Sequence, residues 1–150
     1  FQGGDDTING GAGNDTIYGD LQILSVQTNT NSSLNFLGGD DVIDGGSGND
    51  NLYGDVAINS VALGNSVTYV GGNGTFVLSP GSGVDTIRDF EAGKDLLDIS
   101  GYGVTAATFA TWETSHISGN IVDFDGTASV VDQVTVLGVT GLAIDDFLLA

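Results

Sequence analysis

Residues 10–18 read Gly-Gly-Ala-Gly-Asn-Asp-Thr-Ile-Tyr, and residues 45–53 read Gly-Gly-Ser-Gly-Asn-Asp-Asn-Leu-Tyr. The same nine-residue pattern returns less perfectly at 1–9, 36–44, 69–77 and 80–88. Its eighth position is apolar in every copy. Its sixth position is an aspartate in all copies but one: Asp6, Asp15, Asp41, Asp50 and Asp85, with Gly74 as the exception. Such a repeat decides the fold, because each copy is expected to adopt the same local structure.

A longer period lies over the nonapeptides. The segment FQGGDD at residue 1 returns as FLGGDD at 36 and as YVGGNG at 69, which gives spacings of 35 and 33 residues. Each of the units that begin at residues 1, 36 and 69 contains two nonapeptides. In the first two units an excursion follows, at about 21–35 and about 56–68, and each excursion begins after a shared Tyr-Gly-Asp. The excursions are rich in β-branched and small polar residues, so we expect hairpin-like insertions that leave one edge of the repeat.

The nonapeptide combines a turn with a short strand. Glycines in its first six positions allow the positive-φ conformations that point carbonyl oxygens inward. The last three residues form a strand whose middle side chain faces the interior. Two nonapeptides then make one coil, so the sequence predicts an all-β fold: a parallel β-roll, right-handed and β-helix-like, with 18 residues per coil. Turns 1–6, 36–41 and 69–74 would stack on one side, and turns 10–15, 45–50 and 80–85 on the other.

The charge of the chain indicates what this array binds. It carries 20 acidic and 2 basic residues, a formal charge of −18. Such a surface repels nucleic acids and anionic membranes, and no apolar run reaches the length needed for membrane insertion. Since 40% of the residues are hydrophobic, we expect a folded chain whose acidic groups are neutralised by a cation. There is no cysteine, which leaves a hard cation with oxygen ligands, Ca²⁺, rather than a thiolate site.

Stacked turns predict the calcium ligands. One carboxylate from each turn and the backbone carbonyls between them would form an oxygen cage, whereas Mg²⁺ demands a smaller octahedral shell. We expect about three to five ions, with the gap at Gly74 weaker or empty. The predicted carboxylates are Asp6, Asp15, Asp41, Asp50 and Asp85. The turn residues expected beside them are Gly4, Gly10, Ala12, Gly13, Asn14, Gly39, Gly45, Ser47, Gly48, Asn49, Gly72, Gly81 and Gly83.

This nonapeptide resembles the calcium-binding repeat of the RTX, or hemolysin-type, family. The resemblance covers at least residues 1–101, and the copies at 10–18 and 45–53 match the family pattern at every fixed position. Residues 81–103 resemble the segment that ends the roll in secreted metalloproteases and lipases of this family. By that resemblance Asp95 and Asp98 contribute to a terminal calcium site, while Phe90, Leu97 and Ile99 close the end of the core.

The family resemblance also implies a function. The chain is expected to be a secreted, extracellular bacterial module that folds on binding Ca²⁺ and supports type I secretion and folding of an N-terminal passenger. Phe1 begins within a repeat, which we interpret as the loss of that passenger. The alternative is an adhesin or glycan-binding module that uses the excursions to hold a glycan or surface ligand. The sequence has no HExxH, GxSxG or P-loop, so we expect a non-catalytic module rather than an enzyme.

Residues 102–150 predict a small β-rich cap and secretion signal that follow the roll at 1–101. A helix is expected near 105–113, followed by strands at 118–124 and 130–138 around a turn at Asp125-Gly126. The ending from Ile144 onward resembles the acidic and then hydrophobic tail of type I substrates.

Several side chains have a plain structural interpretation. We expect Asp5 and Asp40 to face solvent, and His116 and Trp112 to pack in or on the cap. Asp20 and Asp55 could cap a turn or contact a metal, and the sequence leaves both open.

Overall fold

The computed structural model describes residues 2–23, 33–58, 66–126 and 131–150. Within these ranges the chain is mostly short strands with one α-helix, α1 (Ala106–His116), and two 3-10 turns, Ser100–Tyr102 and Ile144–Asp146. The strands are β1 (Thr7–Asn9), β2 (Thr16–Tyr18), β3 (Leu21–Ile23), β4 (Ser33–Leu37), β5 (Val42–Asp44), β6 (Asn51–Tyr53), β7 (Val56–Ile58), β8 (Ser66–Val70), β9 (Thr75–Val77), β10 (Val84–Ile87), β11 (Leu96–Asp98), β12 (Ile117–Ser118), β13 (Ile121–Asp123), β14 (Gln133–Val136) and β15 (Phe147–Leu148).

Two larger sheets collect the strands of the nonapeptides. One has the order β1-β5-β9-β11-β15 and is parallel throughout. The other has the order β12-β13-β14-β10-β6-β2, parallel from β14 to β2 and antiparallel among β12, β13 and β14. Each nonapeptide therefore contributes one strand, and copies alternate between the two sheets along the chain.

The register confirms the predicted order of the stacked turns. Thr7 pairs with Val42 and Val42 with Thr75 in the first sheet, while Thr16 pairs with Asn51 and Asn51 with Thr86 in the second. Equivalent residues of the nonapeptides are thus 35 or 33 positions apart in the first sheet, which are the spacings expected for two nonapeptides and an excursion. The excursions lie on the path between these layers, whereas Thr75 pairs with Leu96 in the same sheet after only 21 positions, without an excursion.

The excursions also differ from the prediction. β3 pairs in parallel with β7, and β4 pairs in parallel with β8. The described strands of one excursion therefore bond to those of the next excursion, and the expectation of hairpin-like insertions is wrong for them. Equivalent residues already stack one strand spacing apart, so the next layer offers hydrogen-bond partners in register. The predicted tips, within 24–32 and 59–65, lie outside the described residues.

The apolar eighth position of each nonapeptide forms the core, as expected. Ile43, Leu52, Phe76 and Ile87 are completely buried. Phe90, Leu97 and Ile99, expected to close the end of this core, are buried in the same cluster. The alternation of buried and exposed residues along each three-residue strand follows from the period of two of extended backbone.

The C-terminal third extends both sheets. β14 adds to β10, and β15 adds to β11. Helix α1 confirms the predicted helix, and β13 and β14 lie within the strands predicted at 118–124 and 130–138. The first predicted strand is interrupted, because β12 ends at Ser118 and pairs antiparallel with β13 around a turn at Gly119-Asn120. Phe109 of the helix is buried, and Trp112 packs against the same core. The boundary between a roll and a cap at 101/102 stays a prediction.

We expect Ile43→Ala to lower the free energy of unfolding by about 2–5 kcal/mol, because it leaves a cavity in the centre of the thin core. The neighbouring Val42→Ala is the matched control. Val42 is 37% exposed on the opposite face of the same strand, so Val42→Ala should change the free energy of unfolding by no more than about 0.5 kcal/mol. Denaturant unfolding at saturating calcium measures both, and equal losses would contradict this assignment of the core.

Candidate metal centre

Two stacks of turns border the sheets. The first stack consists of residues 2–6, 36–41 and 69–74, and the second of residues 10–15, 45–50 and 80–85. In the second stack Gly13 donates its N–H to Ser47 O and Gly48 donates to Ser82 O, both at 2.9 Å. Short parallel bridges join Ala12 to Ser47 and Gly48 to Gly83. Consecutive turns are therefore in direct backbone contact.

Glycine is required where the turns touch. Gly48 has φ of 145°, and a Cβ built on it would overlap the carbonyl oxygen of Gly13 in the turn below. Gly83 repeats this conformation and contact one layer further on, with φ of 98° and its Cβ position against Gly48 O. The pattern is local in origin, since only glycine adopts these φ values without strain and leaves room for the neighbouring carbonyl.

The sixth-position aspartates link each turn to the previous one. Asp41 Oδ1 accepts the N–H of Asp6 at 2.8 Å in the first stack. In the second stack Asp50 Oδ1 accepts the N–H of Asp15 at 2.8 Å, and Asp85 Oδ1 accepts the N–H of Asp50 at 3.0 Å. Asp41, Asp50 and Asp85 are at most 1% exposed. One oxygen of each carboxylate thus accepts a backbone N–H, and the second oxygens of Asp41 and Asp50 have no hydrogen-bond partner.

Those other oxygens show that the turns fit a cation. Among the described aspartates, Asp15 Oδ2, Asp20 Oδ1, Asp41 Oδ2 and Asp50 Oδ2 are buried without a hydrogen-bond partner. A buried carboxylate oxygen without a partner is costly, so such atoms call for a positive ligand. The first glycine of the turn makes room for them: a Cβ on Gly45 would lie 2.5 Å from Asp50 Oδ2. Ca²⁺ prefers this set of carboxylate and carbonyl oxygens.

The remaining predicted turn residues line up as expected from the register. Cβ positions on Gly39 and Gly72 fall on the carbonyl oxygens of Gly4 and Gly39, respectively. Asn14 and Asn49 are exposed and accept N–H bonds from the next layer through their side chains. Their assignment as ligands, like that of the whole set, stays a prediction.

A third column of carboxylates contains Asp20 and Asp55, which the sequence left open as turn caps or metal contacts, and Asp89, which the sequence did not identify. Asp20 Oδ2 accepts the N–H of Gly39 at 3.0 Å, and Asp55 Oδ1 accepts that of Gly72 at 2.7 Å. Asp89 follows one layer on and accepts the N–H groups of Gly54 and Asp55. The spacing of 35 and 34 residues could have identified this column, but the signal is weak without the stacking. The exposed Asp5 and Asp40 accept N–H groups of the adjacent layer instead.

The turn that lacks its aspartate is completed by other groups. Gly74 donates its N–H to Asp95 Oδ1 at 2.8 Å, and Leu96 pairs with Thr75, so Asp95 takes the place one layer above the defect. Lys94 donates to Gly71 O and forms an ion pair with Glu91 at 2.7 Å. A built-in ammonium group is therefore present at this turn. Asp98 lies further along β11, where its Oδ1 accepts the N–H of Ser100.

The second stack ends on a carboxylate that sequence analysis missed. Asp132 accepts hydrogen bonds from Gly81 N, Gly83 N, Ser82 Oγ and Tyr102 Oη at 2.8–3.2 Å. Burial raises the pKa of the Tyr102 phenol above its ordinary value, and the adjoining Asp132 adds to the effect. The donors of the last turn thus find their acceptor in the Asp132 carboxylate, which is held by hydrogen bonds from the protein itself. No local pattern predicts it, because residues 132 and 83 meet only through the β10–β14 pairing.

Without a metal, the buried carboxylates favour protons. Burial, together with neighbouring carboxylates, raises the pKa of Asp41 and of Asp95 to about 6 and that of Asp85 to about 7. It also raises the pKa of Asp20 and of Asp89. Backbone N–H bonds act in the opposite direction but do not cancel the cost of burying the charge. A bound cation would remove this cost by stabilising the charged form.

Comparisons with known proteins agree with this geometry. Residues 2–22 and 37–60 match the model of the RTX calcium-binding nonapeptide repeat family, in four copies. No curated protein matches the chain. In the part of the chain that the structure describes, no helix is long and apolar enough to cross a membrane. The repeat family is a non-catalytic calcium-binding module. Residues 2–22 and 37–60 therefore carry four matches to the RTX nonapeptide repeat, a repeat that binds Ca²⁺.

Proposed function

We propose that the chain is a module that folds when Ca²⁺ enters the gaps between its stacked turns. The observation that carries the proposal is the set of buried aspartate oxygens without partners in consecutive turns. The sixth-position carboxylates, together with turn carbonyls, would hold the ions. Bound Ca²⁺ would supply positive charge there and join one layer to the next.

The energetics support coupling of folding to binding. The core is narrow, and the chain must order 25 glycines, each of which loses more conformational freedom than any other residue. Ion binding to sites that form only in the folded chain contributes its free energy directly to folding. The parallel pairing of layers supports a further proposal, that the two large sheets are the sides of a parallel β-roll.

The biological role follows from the difference in calcium between compartments. RTX repeats are typically found in secreted, extracellular proteins. In the cytosol free Ca²⁺ is scarce, so the module would stay unfolded and able to pass through a type I secretion channel. Outside the cell, sites with a Kd of about 10⁻⁴–10⁻³ M would fill and fold the chain. This folding would favour export of an N-terminal passenger and assist its folding. The alternative use of the excursions to bind a glycan concerns tips outside the described residues.

A calcium titration of the chain and of Asp50→Asn tests the proposed ligands. The asparagine side chain of this variant would still accept the N–H of Asp15 but carries no charge, so we expect the midpoint of calcium-induced folding to rise at least about tenfold. Asp40→Asn makes the same charge change at an exposed fifth position and should shift the midpoint much less. Far-UV circular dichroism and Trp112 fluorescence follow folding. A wild-type chain that is fully folded in chelator, with no change on adding Ca²⁺, would refute the proposal.

The raised pKa values predict that a rise in pH lowers the stability of the metal-free chain and raises its apparent affinity for calcium. Unfolded aspartates titrate near pH ~3.9, whereas Asp41 and Asp95 titrate at about 6 and Asp85 at about 7 in the folded chain. The folded metal-free chain holds more protons, so its stability should fall as pH rises through this window. Calcium requires the ionised carboxylates, so its apparent affinity should rise over the same window.

Both effects can be measured in metal-free buffer and by calcium titration between pH 5 and pH 7.5. Residual structure without calcium should be greater at pH 5, and the calcium midpoint should be lower at pH 7.5. A midpoint that does not change with pH would show that these carboxylates do not exchange protons for the ion.

A further inference from the structure

We propose that Asp20, which lies outside the nonapeptides, joins Asp6 and Asp41 as the third carboxylate ligand of a calcium ion in the first gap, between turns 2–6 and 36–41. The proposal rests on the proposed calcium-dependent function and extends it to the residue directly before the first excursion. The metal site then includes a residue from the junction between the repeat and the excursion.

The three carboxylates converge on one point. Each of Asp6, Asp20 and Asp41 offers one oxygen, and the three oxygens lie within 4.8 Å of one another. Asp20 lies two residues after the second nonapeptide, which ends at residue 18, whereas the other two belong to consecutive turns of the first stack. The convergence results from the chain path, which returns to the first stack after the excursion at 21–35.

The hydrogen bonds leave the inner oxygens for a ligand. Asp20 uses Oδ2 for the N–H of Gly39, and Asp41 uses Oδ1 for the N–H of Asp6. Asp20 Oδ1 and Asp41 Oδ2 are buried without a partner, and Asp41 is 0% exposed. Because a fully buried carboxylate oxygen rarely stays without a partner, this observation points to a ligand independently of the clustering.

Two glycines make the approach of these oxygens possible. A Cβ on Gly3 would overlap Asp20 Oδ1, and a Cβ on Gly19 would overlap Asp41 Oδ2. Neither glycine has a positive φ, so backbone conformation does not require glycine at these positions. Glycine is needed because the Cβ position is occupied, by the Asp20 carboxylate at Gly3 and by Gly54 O together with Asp41 Oδ2 at Gly19. A cavity of ≈ 270 Å³ whose lining includes Gly4, Asp6 and Asp20 leads to the gap and could admit the ion with its water.

No basic side chain neutralises this gap. The chain has 2 lysine and arginine residues in total. Arg88 donates to Asn51, and Lys94 is engaged with Gly71 and Glu91 at the other end of the stack. Three carboxylates close together then require an external cation, and a larger number of charged ligands raises calcium affinity.

The next gap, between turns 36–41 and 69–74, has a different set of charged groups. Asp55 repeats the position of Asp20 one layer on and accepts the N–H of Gly72. There Gly74 replaces the sixth-position aspartate, and the pKa of Lys94 is raised mainly by its hydrogen bond to Glu91 and to a lesser extent by Asp55. An ammonium group thus accompanies the layer with the missing carboxylate, whereas the first gap has the extra carboxylate and depends on Ca²⁺.

The test compares Asp20→Asn with Asp5→Asn by isothermal titration of the full chain with CaCl₂ at pH 7.5. Both changes remove one charge from the same region and keep an oxygen that can accept the existing N–H bond, but Asp5 is exposed. Asp20→Asn should weaken one calcium site at least about tenfold and leave the second-stack sites unchanged. Asp5→Asn should match the wild type.

Wild-type affinities in Asp20→Asn would overturn the third ligand while leaving calcium-dependent folding intact. A wild-type chain that binds no calcium would refute the proposed function as well, so the two failures are distinguishable. If Asp20→Asn does not fold, the side-chain carboxyl ¹³C shifts of the wild type decide the question. Those of Asp20, Asp6 and Asp41 should move together during the titration. A resonance of Asp20 that does not move with the other two would overturn the proposal.

Discussion

Carboxylates buried between stacked turns are the constraint on which this structure depends. Each layer places the aspartate of one turn against the backbone of the turn before it, as Asp50 does with Asp15. The N–H bond satisfies one oxygen and leaves the other without a partner. The folded chain therefore concentrates negative charge where water cannot solvate it, and a cation or a proton must compensate.

This constraint connects composition to function. A formal charge of −18 disfavours the compact state by self-repulsion. The apolar eighth position contributes only a thin core, so hydrophobic burial offsets little of the cost of ordering a glycine-rich chain. In the proposed function calcium changes the balance, because it would neutralise the carboxylates at sites that form only in the folded state. Folding that follows the calcium concentration is the physical basis of the proposed export role.

The two ends of the array avoid the same cost by other means. At the end of the second stack, Asp132 accepts hydrogen bonds from four donors of the protein. Where the first sheet ends, Asp146 accepts the N–H groups of Gly93 and Ala143. Lys94 supplies a cation near the turn that lacks its aspartate. Towards the C-terminus the carboxylates of Asp132 and Asp146 are therefore held by hydrogen bonds from the protein, and an ion pair lies beside the Gly74 turn.

The sequence by itself determined the repeat, the turns, the buried eighth position and the order in which turns stack, because these follow from local periodicity and glycine conformation. It also determined the chemistry, since regularly spaced aspartates without cysteine and with few basic residues leave a hard cation as partner. Only the tertiary structure decided that the excursions pair with one another in parallel, and that Asp20 and Asp132 face the turn stacks. These contacts join residues 19 to 51 positions apart in the chain. Their geometry depends on the path of the chain between layers, which no local pattern encodes.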